Sequence, residues 1–154
     1  MKIQLKFGDC LERMKEIPNN SIDLTVTSPP YDNIRTYKNT LDWCEYVWKS
    51  VIEELFRVTK VGGVVVWVVG DATINGSETG NSFKQALHGI DCGFKLHDTM
   101  IYQKYGSGMP HKVHRYGQSF EYMFILSKCI PNHGIIKTYP STGKIGKTTR
   151  RLKN

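Results

Sequence analysis

The sequence contains no Cys-x-x-Cys pair, no apolar run of membrane-spanning length and no acidic residue after Glu121. Each absence excludes a class of protein. Cys10, Cys44, Cys92 and Cys129 lie far apart, which gives neither zinc-ligand spacing nor a disulfide framework and predicts reduced thiols in a cytoplasmic protein. The longest apolar run, Val64 to Val69, is strand-sized, whereas a helical span needs ~20 residues, so no membrane partner is expected. The segment from Met1 to Cys10 turns polar too early for a signal peptide. The 154 residues suffice for one domain with a real core.

The missing acids concentrate the charge. Residues 1–121 carry fourteen Lys/Arg and fourteen Asp/Glu and are neutral, while residues 122–154 carry seven Lys/Arg and no acid. The whole net charge of +7 therefore falls in the last fifth of the chain. A one-sign segment suits a polyanion, of which nucleic acid is the commonest. A solvated basic tail without a partner fits the same charge equally well.

The apolar pattern alternates between strand and helix periods. Ile3, Leu5 and Phe7 predict a strand over residues 2–7, ended by Gly8-Asp9. Leu11, Met14 and Ile17 predict a helix stopped at Pro18. Residues 22–26 form a short apolar strand, and residues 32–40 a polar loop. Asp42 to Thr59 reads as an amphipathic helix presenting Val47, Val51, Ile52, Leu55, Phe56 and Val58. A turn at Gly62-Gly63 leads into Val64–Val69, apolar on both faces as a central strand should be. A loop at 71–80, a helix from Asn81 to Gly89 or Gly93, and strands at 95–104 and 121–127 follow. The order β-α-β-α-β-α-β-β predicts an α/β fold with a mostly parallel sheet and an antiparallel final strand pair. Residues 1–128 form the structured part, and 129–154 a basic segment.

The chemistry concentrates after the second strand, where Thr27-Ser28-Pro29-Pro30-Tyr31 stands. In open α/β sheets, ligands bind beyond the carboxyl ends of strands. Each proline fixes φ and removes a donor, and each pushes the preceding residue toward extended geometry. The result is a stiff rim of carbonyl oxygens with a hydroxyl and an aromatic ring. An exocyclic amine has two donor hydrogens, which the Ser28 hydroxyl and the Pro29 carbonyl can accept. Tyr31 can stack on an extruded base, a contact worth ~1–3 kcal/mol. The plainer reading is a proline-stiffened turn whose tyrosine packs in the core.

This segment resembles the Ser/Asp/Asn-Pro-Pro-Tyr/Phe motif of the permuted amino-methyltransferases of DNA, which make N4-methylcytosine or N6-methyladenine. Four further stretches resemble the family in the same order: Gly8-Asp9-Cys10-Leu11-Glu12, Lys60 to Val69, Asp91 to Leu96, and Glu121 to Lys128. The resemblance implies a partial Rossmann-like fold dependent on S-adenosylmethionine. It makes Ser28, Pro29, Pro30 and Tyr31 catalytic, and it places Asp9, Cys10 and Thr27 at the cofactor. It implies direct transfer without a metal, and DNA as the partner. Serine at position 28 leans toward cytosine N4 over adenine N6 within the family. The basic segment falls where family members begin target recognition, so Lys144, Lys147, Arg150, Arg151 and Lys153 are expected on phosphates, which they would position without reading sequence.

The family's Gly-rich Phe-x-Gly-x-Gly loop is not found. Gly106-Ser107-Gly108 precedes Pro110 and reads as an ordinary loop, and Gly143 to Thr148 has Ser141 where a phosphate-binding loop needs glycine. In the full fold the loop's strand and its neighbour lie between the strands expected at 2–7 and 22–26. Their absence leaves a sheet edge open to another chain. A split enzyme completed by a second chain, a truncated remnant and a fragment all fit. The alternatives are an inactive remnant that binds nucleic acid, or methylation of a protein amide or RNA base. Asp32 and Asp71 read as exposed loop residues that could line the cofactor pocket. His111 and His114 lack an obvious third metal ligand and suit a phosphate-contacting or ordinary surface loop, which Tyr105 and Tyr116 flank.

Overall fold

A computed structural model describes residues 3–30, 43–105 and 118–132. Its framework is a sheet of β1 (Ile22–Thr27), β2 (Thr59–Val69), β5 (Lys95–Gln103) and β6 (Phe120–Ser127), ordered β1-β2-β6-β5. The helices are α1 (Cys10–Met14), α2 (Glu45–Val58) and α3 (Asn81–Asp91). A small hairpin, β3 (Thr73–Ile74) with β4 (Ser77–Glu78), stands apart from the sheet. β1 and β2 pair in parallel, while β6 is antiparallel to both β2 and β5. Three strands therefore point one way and β6 alone is reversed, as the α/β expectation with an antiparallel final pair requires.

The core lies on one face of this sheet. Val65, Trp67 and Val69 of β2 alternate inward with Phe124 and Leu126 of β6. They meet Trp48, Val51, Ile52 and Leu55 of α2 and Ala86 of α3. Burying each large side chain contributes ~1.5–3 kcal/mol. Trp67 also donates its indole N–H to Gln85 Oε1 at 2.8 Å, which satisfies two buried polar groups at once. α1 packs through Met14 onto α2, where Arg57 donates to the Met14 and Ile17 carbonyls.

Four expectations change. Residues 3–7 are not a strand: Ile3, Leu5 and Phe7 are exposed and the segment joins no described strand. Alternation gives a segment the shape of a strand, but only a partner supplies its hydrogen bonds. Gly62-Gly63 is not a turn between elements, because β2 runs through it from Thr59. The glycines instead form an excursion: β1 pairs Ile22 with Thr59 and then Leu24 with Val64. Gly62 takes φ +80° there, and its N–H and carbonyl bond Lys128 and Asn132. The loop at 71–80 contains the hairpin, turned by Asn75 and Gly76 with φ of 50° and 80°. Asn-Gly is the strongest short hairpin signal, and it was present in the sequence. The first helix also ends earlier than expected, at Met14.

Candidate functional site

Because β1 and β2 are parallel, Thr27-Ser28-Pro29-Pro30 and Val69-Gly70-Asp71 leave the sheet at the same end. Thr27 stands beside Trp67 in the register. Ser28 is exposed, Pro29 is buried and Pro30 is half-buried. Burial of Pro29 anchors the segment and leaves the neighbouring serine at the surface. Tyr31 lies outside the described residues, as do Asp32, the 111–115 histidine loop, Tyr116 and the basic residues Lys144, Lys147, Arg150, Arg151 and Lys153.

β5 points the same way as β1, so its final residues share this end. Tyr102 and Tyr105 are exposed there, Tyr105 at 94%. Lys104 is held by an ion pair to Glu121. Behind them an aromatic cluster fills the start of β6. Phe120 meets Tyr122 edge-on at 5.3 Å, Tyr122 stacks on Phe124 at 5.6 Å, and Phe83 of α3 lies 5.1 Å from Tyr122. Burial pushes the Tyr122 hydroxyl up from its ordinary pKa, with Glu78 and Asp71 adding to the shift. It stays a neutral phenol at physiological pH.

Asp71 corrects the expectation of an exposed loop acid. It is buried, and its carboxylate accepts from the Ser82 backbone N–H at 3.0 Å, the Ser82 hydroxyl and the Thr79 hydroxyl. An anion at a helix N-terminus satisfies orphan donors and meets the favourable end of the dipole. Asp71 therefore fixes α3 to the end of β2. Its partner is eleven residues away, too far for a local motif to announce.

Asp9 is the N-cap of α1: its Oδ1 accepts from the backbone N–H groups of Leu11 at 2.9 Å and Glu12 at 3.3 Å. Cys10 opens the helix, and burial with the adjacent Asp9 raises its thiol pKa. Both residues stand on α1, an element separate from the Thr27–Pro30 segment.

One mixed group of ligand-type side chains occurs among the described residues. Donor atoms of Glu53, His88 and Cys92 lie within 4.8 Å of one another. Cys92 Sγ is 3.4 Å and the Glu53 carboxylate 3.5 Å from His88 Nε2, while the imidazole meets Trp48 edge-on. Burial, then Glu53 and Asp91, push the Cys92 thiol up. These contacts form a polar tie between α2 and the end of α3.

The comparisons with known proteins agree with this geometry. Residues 22–152 match a family model described as DNA methylase, of the N6/N4 methyltransferases. The orphan methyltransferase M.BamHII of Bacillus amyloliquefaciens is 57% identical over 119 residues, which cover 77% of this chain and 43% of that protein. M.BglII of Bacillus subtilis is 44% identical over 66 residues, 41% of this chain and 18% of that one. The cytosine-N4-specific PvuII DNA methyltransferase superposes with TM-score 0.65 at 25% identity, covering 80% of this chain and 48% of its own. A DNA modification methylase of Thermus thermophilus, solved with S-adenosyl-L-methionine, gives TM-score 0.60 at 25% identity over 93% of this chain and 55% of that one. The matched region spans less than half the length of M.BamHII and about half of the two solved structures. With most of its length inside the family model and its Ser-Pro-Pro segment at the carboxyl end of β1, the chain belongs to the N6/N4 DNA methylase family.

Proposed function

We propose that this chain is the amine-orienting part of a DNA methyltransferase that modifies a base exocyclic nitrogen, with cytosine N4 favoured over adenine N6. One observation carries the reading: Ser28 is presented at the carboxyl end of β1 on a segment anchored by buried Pro29. Its neighbour in structure, PvuII methyltransferase, is cytosine-N4-specific, and serine at position 28 leans the same way.

The Ser28 hydroxyl and the Pro29 carbonyl accept the two hydrogens of the amine and fix its direction. Both acceptors also favour the positive charge that grows on nitrogen as it reacts. Pro30 holds the turn, and Tyr31 stacks on the extruded base. S-adenosylmethionine, when bound, supplies an electrophilic methyl group. Asp9 would hold its adenine, with Cys10 and Thr27 beside it. Both capping bonds of Asp9 go to Oδ1, which leaves Oδ2 for an adenine amine, so the donor set fits. DNA is the partner, met through Tyr105 and through the five basic residues of the C-terminal segment. In the family the cofactor side also carries a Gly-rich loop, which is not found in this sequence.

The test is nucleoside mass spectrometry on DNA incubated with the protein and labelled S-adenosylmethionine. N4-methylcytosine is expected, and Ser28→Ala is expected to lower it at least tenfold, a loss of about 1.4 kcal/mol of transition-state stabilisation. Methylation unaffected by Ser28→Ala would remove the proposed role. Deleting residues 137–154 should flatten the salt dependence of DNA affinity by about 0.9 in logarithmic slope for each phosphate no longer neutralised. An unaltered slope would make the segment a bystander.

A further inference from the structure

The Glu53–His88–Cys92 group stands apart from the Thr27–Pro30 segment. Asp71 holds the start of α3 through Ser82, whereas His88 and Cys92 lie at its other end. Their i,i+4 spacing puts both side chains on one helix face. Cys92 is the C-cap of α3, and its N–H still donates to the His88 carbonyl at 2.9 Å, so the helical spacing holds to the last residue. Glu53 reaches the pair from α2.

The three groups converge on one point. His88 presents a single nitrogen, Nε2, to both neighbours, with Cys92 Sγ at 3.4 Å and a Glu53 carboxylate oxygen at 3.5 Å. All three donor atoms fall within 4.8 Å of one another. A nucleophilic relay has a different geometry, with thiol and carboxylate on opposite nitrogens of the ring. One Nε2 cannot accept from the thiol and donate to the carboxylate at the same time. Three donors around a point suit a tetrahedral cation instead. Its bonds of about 2.0–2.3 Å set the ligand atoms roughly 3.3–3.6 Å apart, and Nε2 already stands at that spacing from both partners.

The surroundings favour a cation. Trp48 meets the imidazole edge-on, with centroids 5.6 Å apart, and holds its plane. Lys49, one turn before Glu53 on α2, is paired to Glu45 at 2.6 Å. Asp91 and Glu53 place negative charge beside the thiol. Sulfur and imidazole select zinc-class ions over magnesium or calcium, which take oxygen ligands. The spacing of cysteines alone conceals the group, since it holds only one of them.

We propose that Glu53, His88 and Cys92 bind one zinc-class divalent cation, which clamps the end of α3 to α2. The ion bonds to His88 Nε2, Cys92 Sγ and a Glu53 carboxylate oxygen, and water takes the fourth position. The Cys92 thiol releases its proton to solvent as the metal–sulfur bond forms. Thiolate and carboxylate then balance the two positive charges of the ion. Cys92 packs against the core while Glu53 is exposed, so the ion enters on the Glu53 side. α3 is thereby fixed at both ends, by Asp71 at its start and by the cation at its close.

The experiment is titration of the metal-free full chain, untagged, with cobalt(II), followed by competition with zinc(II). Expected is one equivalent of cobalt with a thiolate-to-cobalt charge-transfer band and the intense visible bands of a tetrahedral ion, all lost as zinc displaces it. Cys92→Ser should abolish the charge-transfer band, and Cys129→Ser should keep it. Glu53→Gln and His88→Gln should each weaken cobalt binding by about tenfold or more. Glu53→Gln alters an exposed residue and should leave the circular dichroism of the metal-free chain unchanged. Saturating zinc should raise the thermal midpoint of the native chain and leave that of Glu53→Gln unmoved. Absence of the thiolate band, a band that survives Cys92→Ser, or binding unaffected by Glu53→Gln each overturns the proposal. None of these readouts depends on methylation, so their failure leaves the methyltransferase reading as it stands.

Discussion

The two faces of the sheet are built from the same residue types and differ almost completely in what they touch. On one, Val65, Trp67, Val69, Phe124 and Leu126 are buried under α2 and α3. On the other, Leu24, Val26 and Met100 stand half-exposed or more. Apolar composition alone therefore does not tell the covered face from the exposed one. An apolar strand is apolar on both sides because both sides are meant to be covered. The covered face supplies stability, and the other lies open among the described residues.

Substitutions sharpen that contrast. Trp67→Ala, which removes a 1%-exposed indole and its bond to Gln85, is expected to cost about 3–5 kcal/mol in urea unfolding. Val66→Ala, one residue along and facing the other way, should cost about 1 kcal/mol or less. Equal losses would mean that the bare face is covered within the chain. Asp71→Ala should cost about 1–3 kcal/mol, because α3 loses its anchor and the Ser82 N–H loses its acceptor. A change within about 0.5 kcal/mol would show that α3 is held by apolar packing alone.

The smallest effect is electrostatic. Hydrogen bonds from Arg57 hold the Glu54 carboxyl below the ordinary carboxylate range, with the guanidinium charge adding to them. A depressed folded-state pKa gives stability that is present above the unfolded value and is lost as pH falls through the folded one. The unfolding midpoint should therefore fall more between neutral and acid pH in the native chain than in Glu54→Gln. Identical pH profiles would show that the pair contributes nothing measurable, as exposed pairs often do.

Much of the architecture was legible because it is local. Val64–Val69, the amphipathic stripe of α2 and the strand pattern of β6 each announce themselves within a few residues. The Ser28-Pro29-Pro30 rim was legible too, since proline dictates its own geometry. The misses share a cause. Residues 3–7 have strand alternation, but pairing is decided by a partner distant in sequence. The Gly62-Gly63 excursion makes sense only beside Lys128 and Asn132, which lie far along the chain. Asp71 looked like a loop acid because the helix end it serves begins ten residues later. The Glu53–His88–Cys92 tie combines a visible i,i+4 pair with a third group from another helix. The Asn75-Gly76 hairpin differs from these in carrying a purely local signal.

The central proposal is that Ser28 and Pro29 form the amine-orienting wall of a methyltransferase site. Nucleoside mass spectrometry of DNA treated with the native protein and with Ser28→Ala tests it most directly. The account predicts that Ser28→Ala forms at least tenfold less N4-methylcytosine. Equal methylation by the two proteins would contradict it.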